Sequence, residues 1–136
     1  MTIIIATLSG LVPFLMYFGT ALFLLMLFMS IYMRLTPNDE IALIKDNNAA
    51  ASVVLSAAFV GFSIPLASAA ANSVNLVDFI VWGLVAGMAQ LLVFLVFRRF
   101  YPLVSERISK GEIAVSIKLA GLSVTVGLLN AACMTY

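Results

Sequence analysis

The sequence predicts an all-α membrane protein with four transmembrane helices, arranged as two hairpins that run in the same direction. Three observations predict this fold. The 136-residue chain is 64% hydrophobic and only 10% charged, against about 25% charged residues in soluble domains. Four apolar segments are each long enough to cross a hydrocarbon core of about 30 Å. All seven basic residues lie in or beside two loops. We expect a single membrane domain over residues 1–136, with one repeat over about 11–71 and a second over about 76–136.

The first span is predicted over Leu11–Met33, and no charged residue occurs from Met1 to Met33. The segment is longer than the apolar core of a secretory signal peptide and follows no basic residue, so we expect it to be retained as a helix. Its bulky Phe, Leu and Met side chains are typical of a helix that faces lipid rather than a tightly packed neighbour.

The first charged loop reads RLTPNDEIALIKDNNAAAS over Arg34–Ser52. Thr36 is suited to cap a short helix, with Pro37 at its first position and Asp39 at its third, a pattern close to a capping box. The apolar residues of the IALI stretch then predict an interfacial helix of about two turns. Asn48 is expected to cap the second span.

The second and third spans are predicted over Ala49–Ala71 and Leu76–Phe97. Asn75 and Asp78 stand at the start of the third span, where an Asn cap and an acid in the first turn both stabilise a helix. Helices are the expected spanning form, because any open chain would leave its amide groups unsatisfied in lipid.

The second charged loop, RFYPLVSERISKGEIAVS over Arg99–Ser116, leads into a fourth span from Ile113 to about Tyr136. Ser109 and Glu112 predict a helix start of the same kind as in the first loop. The residues of the two loops that we single out are Arg34, Pro37, Asp39, Glu40, Asn48, Arg99, Pro102 and Glu112.

The two halves of the chain repeat each other with a shift of about 64 residues. Arg34–Pro37 aligns with Arg99–Pro102, and after a one-residue gap Asn48 aligns with Glu112. Each half has two spans, so both halves have the same orientation, and a pseudo-twofold axis along the membrane normal is expected. Because every basic residue lies in or beside the two loops, the positive-inside rule places both loops in the cytoplasm and both termini on the outer side.

Small residues are concentrated in the second span of each repeat. They form the rows Ala57, Gly61 and Pro65 in span two and Ser123, Gly127 and Ala131 in span four. Lipid provides no hydrophobic drive for helix association, so close packing relies on such residues. We expect these two helices to line either the interior of the molecule or an oligomer interface. Pro65 also removes one helical hydrogen bond and predicts a kink.

Three polar residues are predicted at a similar depth in the cytoplasmic half of the bundle, namely Ser56, Gln90 and Lys118. Lys118 lies five residues past Ile113, or about 7.5 Å deep at the helical rise. A charge at the centre of a span costs about 2.5–3.5 kcal/mol, so such residues are often functional. One interpretation is a polar cluster that lines a pore or binds a ligand. The other is a lysine that snorkels to the surface and a glutamine that joins helices.

The sequence contains no constellation typical of catalysis or metal binding. It has no His and a single Cys, Cys133, which removes the usual metal ligands, an intrachain disulfide and a histidine general base. No nucleophile and base are paired within the spans. A net charge of +1 without a dense basic patch argues against a nucleic-acid partner. We therefore predict that the chain is not an enzyme and holds no cofactor or metal.

Three segments carry a resemblance that covers nearly the whole chain after about Gly10: TPNDEIALIKDNNAAASVVLSAAFVGFSIPLASA, VDFIVWGLVAGMAQLLVF and ERISKGEIAVSIKLAGLSVTVGLLNAACM. In these segments the chain resembles the YjfL-type bacterial inner-membrane proteins, which form the domain of unknown function 350. The family usually has Gly-Asn before the small-residue run, where this chain has Asn47-Asn48. The resemblance implies a four-helix protein of the bacterial inner membrane whose genes often neighbour envelope-stress and polyamine-related genes.

Two functions of different classes fit these observations. The first is an oligomer that associates through spans two and four and forms a small pore or permeation path. The second is a membrane scaffold that recruits a cytoplasmic envelope-stress partner through its two charged loops. In either case we expect a multi-pass protein of the inner membrane that contacts the lipid bilayer and associates with itself.

Overall fold

Four long helices make up most of the molecule, and three short helices flank them. The computed structural model describes residues 1–36 and 39–134. Within these ranges the helices are α1 (Thr2–Leu8), α2 (Leu11–Leu35), α3 (Glu40–Lys45), α4 (Ala49–Asn72), α5 (Leu76–Phe100), α6 (Val104–Ser109) and α7 (Ile113–Cys133). The predictions for Pro37 and for the last residues of the fourth span fall outside the described residues.

The four long helices are each apolar and long enough to cross a membrane, which confirms four candidate spans in the predicted regions. The 25 residues of α2 extend about 37 Å at the helical rise, more than a hydrocarbon core of about 30 Å requires. The helix α1 was not predicted as a separate element from the sequence. It precedes α2 and buries none of its side chains, so it adds length beyond a single crossing.

Asparagine side chains cap two of the long helices, as predicted. The Asn48 side-chain oxygen accepts a hydrogen bond from the Ala51 backbone N–H at 3.0 Å. The Asn75 side chain accepts one from the Asp78 N–H at 2.9 Å, and the Asp78 carboxylate accepts one in return from the Val74 N–H at 3.0 Å. Each cap satisfies an amide that has no partner within its own helix.

Two predicted helix starts in the loops were wrong. The cap of α3 is Asp39, whose carboxylate accepts from the Ala42 N–H at 3.2 Å. Thr36 instead donates to the Met33 carbonyl oxygen at 3.1 Å and closes the end of α2. Ser109 likewise ends α6, because its hydroxyl donates back to the Glu106 carbonyl. Hydroxyl side chains bond readily to carbonyls three or four residues earlier, and this competes with capping.

The helices recur along the chain at the spacing of the predicted repeat. α2 and α5 are both 25 residues long and begin at Leu11 and Leu76. The short helices α3 and α6 both have six residues and begin at Glu40 and Val104. A residue of left-handed conformation precedes each following span: Asn47 with φ 64° and Gly111 with φ 80°. Glycine adopts this conformation without steric cost, and asparagine tolerates it better than most residues.

Part of the core lies between α4 and the two helices α2 and α5. Phe62 of α4 stacks on Phe28 of α2 with ring centroids 4.2 Å apart. On α5, a Cβ added to Gly87 would lie 3.4 Å from the Phe62 ring. Towards the loops, Tyr32 of α2 packs against Phe94 of α5 at 5.0 Å. Both α2 and α5 therefore pack on the Phe62 side of α4.

The opposite side of α4 and the adjoining side of α7 are exposed. Ser56, Val60 and Ala67 of α4 are exposed, as is Thr125 of α7. A Cβ added at Gly121 of α7 would meet no neighbouring atom within 4 Å. We call the surface formed by these five residues the free face of the α4–α7 pair.

Candidate functional site

The closest helix contact in the molecule joins α4 and α7, the second span of each hairpin. A Cβ added to Gly127 would lie 3.0 Å from the carbonyl carbon and 3.1 Å from the Cα of Gly61, and closer still to the Gly61 carbonyl oxygen. A Cβ added to Gly61 would lie 2.6 Å from the carbonyl oxygen of Ser123. Only glycine allows two backbones to approach this closely.

The two predicted rows of small residues face each other across this contact. Ala57, Gly61, Pro65 and Gly127 are buried, and Ser123 and Ala131 are half-buried. Further out along the pair, the Ser68 hydroxyl donates to the Ala131 carbonyl oxygen at 3.1 Å. The two rows therefore pack against each other within one chain. A surface for self-association must consist of other residues of these helices.

Gln90 of α5 reaches the same contact. Its Nε2 donates to the Ser123 carbonyl oxygen at 3.2 Å, and this oxygen also lies against Gly61. The residue is only 7% exposed. Its Oε1 is buried and has no hydrogen-bond partner among the described residues. An orphaned buried acceptor of this kind costs free energy unless a water molecule satisfies it.

The predicted cluster of Ser56, Gln90 and Lys118 is not assembled within one chain. Ser56 and Lys118 are exposed, whereas Gln90 is buried between helices. Across residues 1–36 and 39–134, no hydrogen bond joins any two of the three side chains. The prediction failed because equal depth along different helices does not place residues on facing sides of them.

Lys118 instead interacts with Tyr101, a residue that the sequence analysis did not single out. The Lys118 Nζ donates to the Tyr101 hydroxyl and lies 4.4 Å from the centre of its ring. Phe97 stacks on the same ring at 4.6 Å. The one signal for Tyr101 in the sequence is the alignment of the two predicted repeats, which pairs it with Thr36 at the end of the first span. The ammonium group rises from the apolar span towards the loop end of α5, as a snorkelling lysine does.

The two charged loops form one packed cap at their end of the molecule. The Asn48 side-chain amide donates to the carbonyl oxygens of Ile108 at 3.1 Å and Ser109 at 3.2 Å. Asn48 therefore caps α4 in the first loop and also satisfies the end of α6 in the second. Arg98 adds a further link, since its Nη1 donates to the Leu35 carbonyl oxygen at 2.8 Å.

Glu40 is the most unusual residue of this cap. Its side chain is 6% exposed, and one of its carboxyl oxygens shares the single proton of the Thr36 hydroxyl with the Met33 carbonyl oxygen. It borders a small enclosed cavity of about 10 Å³ that Tyr32 and Ile108 also line. A buried carboxylate normally needs a charged partner, yet none of the ion pairs within the described residues includes Glu40.

The remaining charges of the loops lie at the surface. Arg34, Asp39, Arg99 and Pro102 are exposed. Arg107 pairs with Glu112 at 3.3 Å, and Lys110 pairs with Glu106 at 3.1 Å, all four with exposed side chains. Surface pairs of this kind contribute little to stability, so this surface is free to interact with charged groups outside the protein.

The part of the chain that the structure describes has no group of three or more His, Cys, Asp and Glu residues that could hold a metal ion. The polar groups that it does bring together act in pairs: Gln90 with a backbone carbonyl, Lys118 with Tyr101, and Asn48 with the second loop. These arrangements can join helices, seal the loop end, and present a positive charge at the edge of the apolar region.

Comparisons with known proteins find relatives of this chain among membrane proteins. The model of the Domain of Unknown Function (DUF350) family matches residues 6–134. The UPF0719 inner membrane protein YjfL of Escherichia coli strain K12 is 40% identical over 129 residues, which cover 95% of this chain and 98% of the relative. The protein of the same name from Escherichia coli O157:H7 matches equally well. No solved structure matches.

Proposed function

This chain belongs to the DUF350 family, as its resemblance predicted, and from that premise we propose an inner-membrane protein that self-associates and forms a narrow permeation path between its copies. The family and the YjfL relatives support the inner membrane as its location. The positive-inside rule further supports an orientation in which the charged loops face the cytoplasm and both termini face outward.

One observation carries the self-association, namely the free face of the α4–α7 pair. α2 and α5 both cover the Phe62 side of α4, so the pair that forms the centre of the molecule is left open on its other side. This side presents the small or hydroxyl residues Ser56, Gly121 and Thr125 beside larger apolar side chains such as Val60 and Leu128. Small and hydroxyl residues exposed within a span are typical of helices that pack closely on another helix.

The path is proposed between chains because one chain alone offers no room for it. Gly61 and Gly127 bring α4 and α7 into backbone contact, and the packed loops cover the same end of the pair. Between two or more copies, the exposed Ser56 and Thr125 hydroxyls would supply the polar lining that ions or small polar molecules require. The recurrence of helices at about 64 residues supports a parallel repeat, in which the two hairpins have the same orientation.

Cysteine cross-linking in native membranes tests the self-association. In a Cys133→Ser background, Val60→Cys places a thiol on the free face, and Met88→Cys places one at a similar depth on α5. Both native side chains are exposed, at 49% and 70%, so simple accessibility does not favour Val60. We expect oxidation to link the Val60→Cys chains and to leave the Met88→Cys chains separate. Equal linkage of both variants, or of neither, would argue against the free face as the interface.

Flux through proteoliposomes tests the path itself. We expect wild-type protein to release entrapped potassium or spermidine and Val60→Trp to reduce that release, because the indole would fill the interface. Met88→Trp adds the same bulk on the opposite side and should leave the flux unchanged. Protein that cross-links at position 60 but conducts neither solute would retain the oligomer and reject the permeation path.

A second candidate, a scaffold that recruits a cytoplasmic protein, is favoured by the packing of the two loops into one cap. Asn48 ties both loops together, so the exposed Arg99, Arg107 and Lys110 belong to one rigid surface. Replacement of residues 34–48 by a neutral loop of equal length should then release the proteins that co-purify with the cap. Unchanged co-purification, with the helical content preserved, would reject the scaffold.

A further inference from the structure

An apolar groove runs along the membrane-facing side of the molecule between α5 and α7. It has a volume of about 730 Å³. Its walls include Leu92, Val96, Phe97, Tyr101, Leu122 and Val126. Leu92 and Val96 are 62% and 47% exposed, so the groove opens towards the surrounding lipid rather than into the protein.

The positive charge of Lys118 stands at the loop end of this groove. Lys118, Leu122 and Val126 follow one another at intervals of four residues, which aligns them along one face of α7. The ammonium group is held against Tyr101, and the ring of Tyr101 is itself part of the groove wall. The groove is therefore apolar along its walls and positively charged at its loop end. These two parts match the acyl chain and the anionic headgroup of a lipid.

Among the residues that the structure describes, no ion pair joins this ammonium group to an acidic side chain. The ion pairs found among residues 1–36 and 39–134 join Arg107 to Glu112 and Lys110 to Glu106. Lys118 contacts only the neutral hydroxyl and the ring of Tyr101. Five residues past the start of α7, it lies about 7.5 Å along the helix, near the level where lipid headgroups meet the acyl chains. A cation without a carboxylate at that depth is complementary to a lipid phosphate.

The surroundings of Tyr101 extend the positive region towards the loop. A second cavity of about 220 Å³ shares Phe100 and Tyr101 with the groove and has Arg107 in its wall. Arg107 already pairs with Glu112 at 3.3 Å, so its charge is partly offset. Lys118 is therefore the principal cation available to a headgroup, and the Tyr101 hydroxyl adds a hydrogen-bonding group beside it.

We propose that the α5–α7 groove binds an anionic phospholipid of the leaflet on the loop side, with its phosphate at Lys118 and Tyr101 and an acyl chain along Leu122 and Val126. The first repeat has no such site. The residue of α4 that aligns with Lys118 is Val54, which is 4% exposed and belongs to the core. The lipid site is separate from the proposed permeation path and does not depend on it.

Native mass spectrometry of the full chain tests the proposal. The protein is released from detergent that contains equal amounts of phosphatidylglycerol and phosphatidylcholine with identical acyl chains. We expect the wild type to retain phosphatidylglycerol preferentially. Lys118→Met should lower that preference about five-fold, and Lys118→Arg should keep it. Lys45→Met is the matched control, because it removes the same charge from the first loop, and it should leave the preference unchanged. Tyr101→Phe, which keeps the ring, should lower it less than Lys118→Met.

The role of the groove is tested separately from that of the charge. Leu122→Trp, which fills the groove and leaves Lys118 in place, should reduce the number of retained lipids, while circular dichroism shows unchanged helical content. Excess glycerol 3-phosphate should not displace phosphatidylglycerol. Displacement by that soluble headgroup would show anion binding without an acyl-chain site. Equal retention of both lipids by the wild type, or equal effects of Lys118→Met and Lys45→Met, would overturn the proposal.

Discussion

Replacement of Gly127 by alanine tests the contact on which the whole architecture depends. The added Cβ would lie 3.0 Å from the carbonyl carbon of Gly61 and closer still to its oxygen. Ordinary contacts between carbon and a carbonyl oxygen are about 3.3–3.6 Å long. The atoms in the way belong to the backbone of α4, which cannot rotate aside as a side chain can. α4 and α7 must therefore separate by about 1 Å.

The expected loss of stability follows from three contributions, of which one opposes the other two. Overpacking of a well-packed contact costs typically about 1–3 kcal/mol. Replacing glycine by alanine within a helix returns about 0.5–1 kcal/mol. The separation also stretches the bond from Gln90 to the Ser123 carbonyl, and hydrogen bonds of this kind between transmembrane helices contribute about 0.6 kcal/mol. We expect a net loss of about 1–2 kcal/mol in the free energy of unfolding.

Gly121→Ala is the matched control for this measurement. Gly121 lies on the same helix, but a Cβ there would meet no neighbouring atom within 4 Å. It should leave the stability unchanged or raise it slightly. Both variants would be compared with the wild type by thermal unfolding in a mild detergent, followed by circular dichroism and by the fraction that stays monodisperse. If Gly127→Ala unfolds at the same temperature as Gly121→Ala, the backbone contact between α4 and α7 is not formed as described.

Three further predictions concern polar contacts, each measured by the same unfolding assay. Asn48→Ala should lower the free energy of unfolding by about 2 kcal/mol and Asn75→Ala by about 1 kcal/mol. Both substitutions remove a helix cap, but only Asn48 also donates to two carbonyl oxygens of the other loop. Equal losses would argue against the link between the loops. Gln90→Leu should change the stability by less than about 1 kcal/mol, since the lost bond to Ser123 is offset by removal of the orphaned Oε1; a larger loss would show that Oε1 has a partner, such as a bound water. Lys110→Ala should cost less than about 0.5 kcal/mol because its pair with Glu106 is exposed, and a larger effect would indicate that the cap depends on that pair.

The two proposed roles place different demands on the same packed core. A permeation path between copies requires that each protomer stays closed, which the Gly61–Gly127 contact provides. A scaffold requires a rigid surface at the loop end, which Asn48 and the buried Glu40 help to form. The cross-linking and co-purification experiments separate these roles, because one perturbs the free face and the other perturbs the loops.

Much of the fold follows from the sequence because each span depends on the composition of one continuous stretch of residues. An uncharged stretch such as Leu11–Met33 must be helical in lipid to satisfy its amides, and α2 indeed begins at Leu11. The caps formed by Asn48 and Asn75 depend on neighbours three residues away, so they too could be predicted. The repeat of about 64 residues stays a prediction from the sequence, and the matching positions of α3 and α6 in the two halves agree with its spacing.

Only the tertiary structure determines which residues of different helices contact each other. Sequence gives the depth of a residue in the membrane, and depth alone left two interpretations of Ser56, Gln90 and Lys118 open: a polar cluster, or a snorkelling lysine with a glutamine that joins helices. The rotation of each helix about its axis sends Gln90 to the backbone of α7 and Lys118 to Tyr101. In lipid this rotation is fixed by the closest backbone contact, here Gly61 against Gly127, because no hydrophobic drive favours one face over another. The groove at Lys118 and the free face of the α4–α7 pair are both consequences of that contact.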